Sequence, residues 1–246
     1  MRALIAIAAL STGCDQLFQL DSIEIVDAPP KPDANLTDPP RLVSVGFTNA
    51  GDGPLMTDVT VTMDPVQAGH LLVVAVCEIP NDPLGSVTDD LHTKYTHASA
   101  DAASGSPSLA AQLYYGIVDN SGAPTIDVHF TGPGASSIDV RAAEYANIDS
   151  SAPLEDASGK SMINTMSLAT SVVVDAVPAL LVAATCVGDA STGVDGFDTR
   201  IVTMPNGDLF ADTVTQTIGA AVATAHQGGA SGMIVQLAAF RGSAAR

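Results

Sequence analysis

Apolar residues in this chain recur at every second position in short runs bounded by Asp, Gly and Pro, a period that fits half-buried strands and no amphipathic helix. In Asp58-Val-Thr-Val-Thr-Met63, residues Val59, Val61 and Met63 share one face, with Asp58, Thr60 and Thr62 on the other. Thr125-Ile-Asp-Val-His-Phe130 repeats the pattern, with Ile126, Val128 and Phe130 inward and Asp127 and His129 outward. The same reading places strands at 42–48, 69–78, 87–97, 109–118, 136–146, 163–175, 179–187, 198–204, 209–217, 219–226 and 233–241. Only four of the 27 acidic residues are Glu, and with 21 Gly and 15 Pro the composition favours turns over helices. The expected fold is all-β: a single large antiparallel β-sandwich, jelly-roll-like, over residues 41–246.

An internal echo divides that domain. His70-Leu-Leu-Val-Val-Ala-Val-Cys77 and Ala179-Leu-Leu-Val-Ala-Ala-Thr-Cys186 share five of eight residues without a gap. Each is followed later by a second related strand, Val140-Arg-Ala-Ala-Glu-Tyr145 and Val235-Gln-Leu-Ala-Ala-Phe240. Two apolar strands in the same order predict two pseudo-repeated halves packed on one core.

The N-terminus has a different character. Arg2, the apolar stretch Ala3 to Leu10 and then Ser11-Thr12-Gly13-Cys14 follow the order of an export signal. The segment resembles a bacterial lipoprotein signal, with small residues leading into the lipidated cysteine and Leu10 one place before the usual aliphatic position. The resemblance implies a signal peptide at 1–13, lipid on Cys14, membrane attachment through that lipid, and a cell-envelope location at the outer membrane or cell surface. The apolar stretch is far shorter than the roughly 20 residues that a spanning helix takes. Residues 14–40 then read as a lipidated N-terminus and tether, because the prolines at 29, 30, 32, 39 and 40 keep the segment out of helix interiors and ladders.

With Cys14 consumed by lipid, Cys77 and Cys186 remain at matching positions of the echoing strands. They are a disulfide candidate, since exported proteins sit where disulfides persist, the alternative being two buried thiols packed as small apolar groups. A net charge of −18 with nine basic residues excludes a nucleic-acid partner, since neither phosphates nor anionic lipid find cations to neutralise them. Cations are the natural counterpart. Calcium takes carboxylate oxygens, and Asp189, Asp195 and Asp198 in Asp189-Ala-Ser-Thr-Gly-Val-Asp-Gly-Phe-Asp198 are its candidate ligands, although the spacing is not that of an EF-hand. Aspartates that cap turns and keep a surface soluble account for the same residues.

The sequence has no Gly-x-Ser-x-Gly elbow, His-Glu-x-x-His pair, Cys-x-x-Cys motif or phosphate-cradling glycine loop. Glu144 continues the face of Ile138, Val140 and Ala142, so a regular strand turns its carboxylate toward apolar surroundings that would raise its pKa. It is the candidate centre of a hydrolase of unrecognised type. Sugar platforms use exposed rings, and in a chain without Trp the candidates are Tyr95, Tyr114, Tyr115 and Tyr145; of the adjacent Tyr114 and Tyr115, one should face the core and the other solvent. The Ala-Glu-Tyr strand, followed by Asn147-Ile-Asp149 and Ser151-Ala-Pro-Leu-Glu-Asp156, is similar to β-sandwich modules attached to secreted bacterial proteins, a class with no settled activity. The expected function is a lipid-anchored binding, adhesion or structural module without catalysis, whose partner is a surface glycan or envelope protein. The alternatives are a calcium-assisted carbohydrate-binding module and the Glu144 hydrolase.

Overall fold

The computed structural model describes residues 38–246 except 52, 80–83, 100, 101, 105–107, 206 and 244–246. The segment expected to be a signal peptide, Cys14 and the expected tether up to residue 37 lie outside the described residues. From Asp38 onward the chain forms one compact unit, with fifteen strands and no helix among the described residues.

The first half holds β1 (Arg41–Gly51), β2 (Asp58–Thr62), β3 (Leu71–Ile79), β4 (Leu84–Asp89), β5 (Thr96–His97), β6 (Ala102–Ser104), β7 (Leu109–Ile117), β8 (Thr125–Phe130) and β9 (Ser136–Ala146). One sheet runs β1-β9-β3-β7-β5 with β6 also on β7, and a smaller one runs β2-β8-β4. First strand pairs with last, β2 with β8 and β3 with β7, all antiparallel, which is the nested pairing of a jelly roll.

The second half holds β10 (Leu154–Val174), β11 (Ala179–Val187), β12 (Ser191–Val194), β13 (Asp198–Val202), β14 (Leu209–Thr215) and β15 (Gly219–Arg241). Its sheet runs β10-β15-β11-β14-β13, with β12 also on β15. The order repeats the first half once β10 is seen as β1 joined to β2 and β15 as β8 joined to β9. Leu154 to Met162 pair with Phe240 to Met233, and Ser167 to Val174 with His226 to Gly219. Proline explains the difference. In the first half Gly53-Pro54 and Gly132-Pro133-Gly134 interrupt the corresponding strands, since proline cannot donate to a ladder. In the second half Ile163-Asn-Thr-Met-Ser167 and Gln227-Gly-Gly-Ala-Ser-Gly232 contain none, so the strands run on and bend instead. Register shifts at 162–167 take up the bend, and Gln227 Nε2 ties it by donating to Thr165 O at 2.6 Å and Ser231 O at 3.2 Å. The strands expected at 219–226 and 233–241 are therefore one, and the segment 87–97 is two short strands separated by a turn.

These sheets enclose three large cores and a smaller apolar cluster of Cys77, Leu109, Ala111, Cys186 and Ile234 at the disulfide. Val59, Val61, Ile126, Val128 and Phe130 pack on Leu72, Val74, Val76, Val140 and Ala142. The opposite face of that sheet, Leu71, Val73, Ala75, Leu113 and Tyr145, meets Leu180, Val182, Ala184, Phe210 and Phe240 of the second half. The far face of the second sheet, with Leu181, Ala183, Val235 and Leu237, is covered by Leu168, Val172, Ala223 and Ala225. β3 and β11 are buried on both faces, which is why they are apolar without alternation. Each large side chain enclosed in the central core contributes about 1.5–3 kcal/mol of transfer free energy.

The echo in the sequence is an echo in register. Leu71 sits opposite Tyr145 and Val76 opposite Val140; Leu180 sits opposite Phe240 and Thr185 opposite Val235. Counterparts meet across the central core, and Cys77 bonds its own counterpart, Cys186, with Cα atoms 5.3 Å apart and 109 residues between them in sequence. With matching strands facing each other and equivalent cysteines bonded, the halves contact each other much as the subunits of an isologous dimer do, about an approximate axis near the disulfide.

Candidate functional site at the seam

Around the disulfide the two halves cease to be alike. The partners of the cysteines in the adjacent strands are Asp139 beside Cys77 and Ile234 beside Cys186. Two residues on, Arg141 corresponds to Gln236, and both reach across the seam. Arg141 Nη1 donates to Thr185 O at 2.9 Å and Leu209 O at 2.7 Å, while Gln236 Nε2 donates to Ser99 Oγ at 2.6 Å and Ala111 O at 3.2 Å. Asp208, at the entry to β14, takes the place that Ala111 holds in β7, as the pairs Ala75↔Leu113 and Ala184↔Phe210 set the alignment. One side of the axis thus carries Asp139, Arg141 and Asp208 where the other carries Ile234, Gln236 and Ala111.

All three charged groups are enclosed. Arg141 Nε stands 2.8 Å from Asp139 Oδ1, a charge contact without hydrogen-bond angles, and Asn49 Nδ2 donates to Asp139 Oδ2 at 3.2 Å. Burial raises the Asp139 pKa against the opposing pull of Arg141, Thr203 and Asn49. Burial likewise pushes Asp208 up to about 7, with Asp139 adding to the rise and Arg141 and the Val187 amide opposing it. Asp208 Oδ1 accepts from Val187 N at 2.8 Å, but Oδ2 has no hydrogen-bond partner among the described residues. A cavity of about 290 Å³ opens here, lined among others by Cys77, Ser137, Asp189, Pro205 and Asp208. An Asp208 carboxylate oxygen lies within 4.8 Å of both Cys77 Sγ and Cys186 Sγ, which are joined in the disulfide. No sequence motif signals this cluster, because its members come from three strands and a turn.

The residues singled out from sequence are placed elsewhere. Glu144 lies on the face of Ile138, Val140 and Ala142 and is fully buried. Its oxygens are engaged: His70 Nδ1 is 2.6 Å from Oε1, Gln67 N donates to Oε1 at 2.9 Å, and Ser44 Oγ donates to Oε2 at 3.0 Å. The serine is bonded to the carboxylate and not to His70, so no Ser-His-carboxylate relay is formed.

Asp189, Asp195 and Asp198 do not converge. Asp195 Oδ1 is 3.1 Å from His226 Nε2, Asp198 Oδ2 is 3.2 Å from Arg200 Nη2, and Asp189 Oδ1 accepts from Ala190 N at 2.8 Å. The segment expected to be a loop carries the short strand β12, whose extended backbone separates the three carboxylates.

The tyrosines require a correction too. Tyr145 is enclosed in the central core and donates to Asp212 Oδ2 at 2.8 Å, so it offers no stacking surface. Burial first, then Asp212, raise its pKa well above 10. Tyr114 and Tyr115 are both half-buried, one packing on the first core and the other on the central core, where its ring meets Phe240 edge-on at 5.6 Å. Neither faces open solvent, because their sheet is covered on both sides. Tyr95 packs on the first core and donates to Asp89 Oδ2 at 2.9 Å, and burial followed by Asp89 raises its pKa.

No protein-family model, curated protein or solved structure matches this chain.

Proposed function

We propose that the protein is a lipid-anchored binding, adhesion or structural module of the cell envelope that works without catalysis, with a surface glycan or envelope protein as partner. The observation that carries this reading is the Cys77–Cys186 bond on the axis between the halves, a cross-link suited to an oxidising, exported compartment and joined to an N-terminus of lipoprotein order. The commitment of both Glu144 oxygens to Ser44, Gln67 and His70 favours a structural role for the carboxylate over a hydrolytic one. A display module needs a fold that holds its shape outside the cell, and a covalently closed double sandwich meets that need.

The test is the intact mass and detergent partitioning of the natively expressed protein beside a Cys14→Ser variant. The expected result is loss of residues 1–13, gain of a diacylglycerol-sized mass and membrane partitioning in the wild type alone. Identical masses and solubility in both would overturn the anchored reading.

A further inference from the structure

We infer that Cys77, Cys186 and Asp208 form a redox-gated site for a thiophilic divalent cation, zinc in the first place, which opens when the disulfide is reduced. Three observations converge on it. The two sulfurs are joined in the disulfide and an Asp208 carboxylate oxygen lies within 4.8 Å of both, so on reduction the sulfurs have only to part to the roughly 3.5–3.8 Å at which a tetrahedral zinc with bonds of about 2.0–2.3 Å holds its ligands. Asp208 Oδ2 is buried without a hydrogen-bond partner among the described residues, in the wall of the cavity that Cys77 also lines. Such a group costs stability unless a ligand satisfies it. The fold itself does not require an acid there, because its counterpart in the first half is Ala111 and the matching surroundings are Ile234 and Gln236.

The chemistry selects the ion. Two thiolates favour zinc over calcium or magnesium, and a carboxylate supplies the third, harder ligand. The cavity, with Ser137 and Asp189 on its wall, leaves room for water as a fourth. Arg141 lies near enough to lower the Asp208 pKa and offsets part of the negative charge that two thiolates and Asp208 would gather. Opening the site takes two electrons. A dithiol supplies them by exchange: its sulfurs end as a disulfide, the Cys77–Cys186 bond breaks, and its two protons pass to the two cysteines. The cation then displaces both thiol protons to the solvent as the two metal–sulfur bonds form.

The experiment uses the full chain carrying Cys14→Ser, in which Cys77 and Cys186 are the only cysteines, so its outcome is independent of lipidation. The protein is reduced with a water-soluble phosphine, desalted without oxygen and titrated with Co2+ as a spectroscopic stand-in for zinc, with circular dichroism to follow the fold. The expected result is one Co2+ per chain with a thiolate-to-cobalt charge-transfer band after reduction and none before. With Asp208→Asn, the fold and the two titratable thiols should persist while affinity drops at least about tenfold, the lower end of what even outer-shell partners of a metal cost. Three outcomes would each overturn the proposal: a folded, reduced chain without the band, an Asp208→Asn variant that binds as tightly as its parent, or a reduced chain that unfolds and is not restored by the ion.

Discussion

At the scale of single residues, the seam is governed by one buried cation between two acids. Arg141 and Asp139 are 1% and 0% exposed in their side chains, so removing either leaves the other charge buried without this contact. Asp139→Ala is expected to destabilise the fold by about 3–5 kcal/mol, as broken buried pairs do. The double substitution Asp139→Ile with Arg141→Gln, which installs the residue types of the other half, is expected to cost less than Asp139→Ala alone. Urea unfolding of Asp139→Ile alone, Arg141→Gln alone and the double variant closes a mutant cycle, and additive costs would show that the pair is not coupled. The sequence made Glu144 visible, because a lone acid on an apolar face breaks period-two alternation. It left Asp139 and Asp208 unremarked, because aspartates are everywhere in this chain and only burial separates these two from the solvated majority.

Among the elements, proline decides which strands break and which bend. Strands with regular alternation, such as β2 and β8, were legible to within a residue, and so were the apolar β9 and β11. β12 was not, since Ser191-Thr-Gly-Val194 is short, weakly apolar and set among aspartates, and it becomes a strand by pairing with β15. The turn between β13 and β14 has a sharper requirement. Gly207 has φ of 75°, and a Cβ there would stand 2.5 Å from Ala190 Cα, a backbone atom unable to swing aside. Its carbonyl also accepts from Ser191 N at 3.0 Å, which fixes this turn against β12 at the cavity. Gly207→Ala is expected to cost about 1–3 kcal/mol and to lower the melting temperature. An unchanged melting curve would show that the turn relaxes freely.

For the whole molecule, the disulfide and the central core hold the two halves together by different means. The apolar seam acts in the folded state, whereas a bridge across 109 residues acts mainly by restricting the unfolded chain, by about 4–5 kcal/mol on loop entropy. Cys77→Ser with Cys186→Ser is expected to lower stability by that amount while the folded circular dichroism spectrum is retained at 25 °C, because the three cores remain. Calorimetry of the oxidised and double-variant chains measures the difference, and two separate melting transitions in the variant would show that the seam alone cannot couple the halves. By itself the sequence determined the all-β class, the buried strands and the duplication, since period-two alternation and repeated apolar runs are properties of neighbouring residues along the chain. The tertiary structure alone decided that the copies face each other across an axis, that Tyr145 is enclosed, and that Asp139, Arg141 and Asp208 gather beside the disulfide. Those facts depend on which face of one sheet meets which face of another, a choice made by packing between residues distant in sequence.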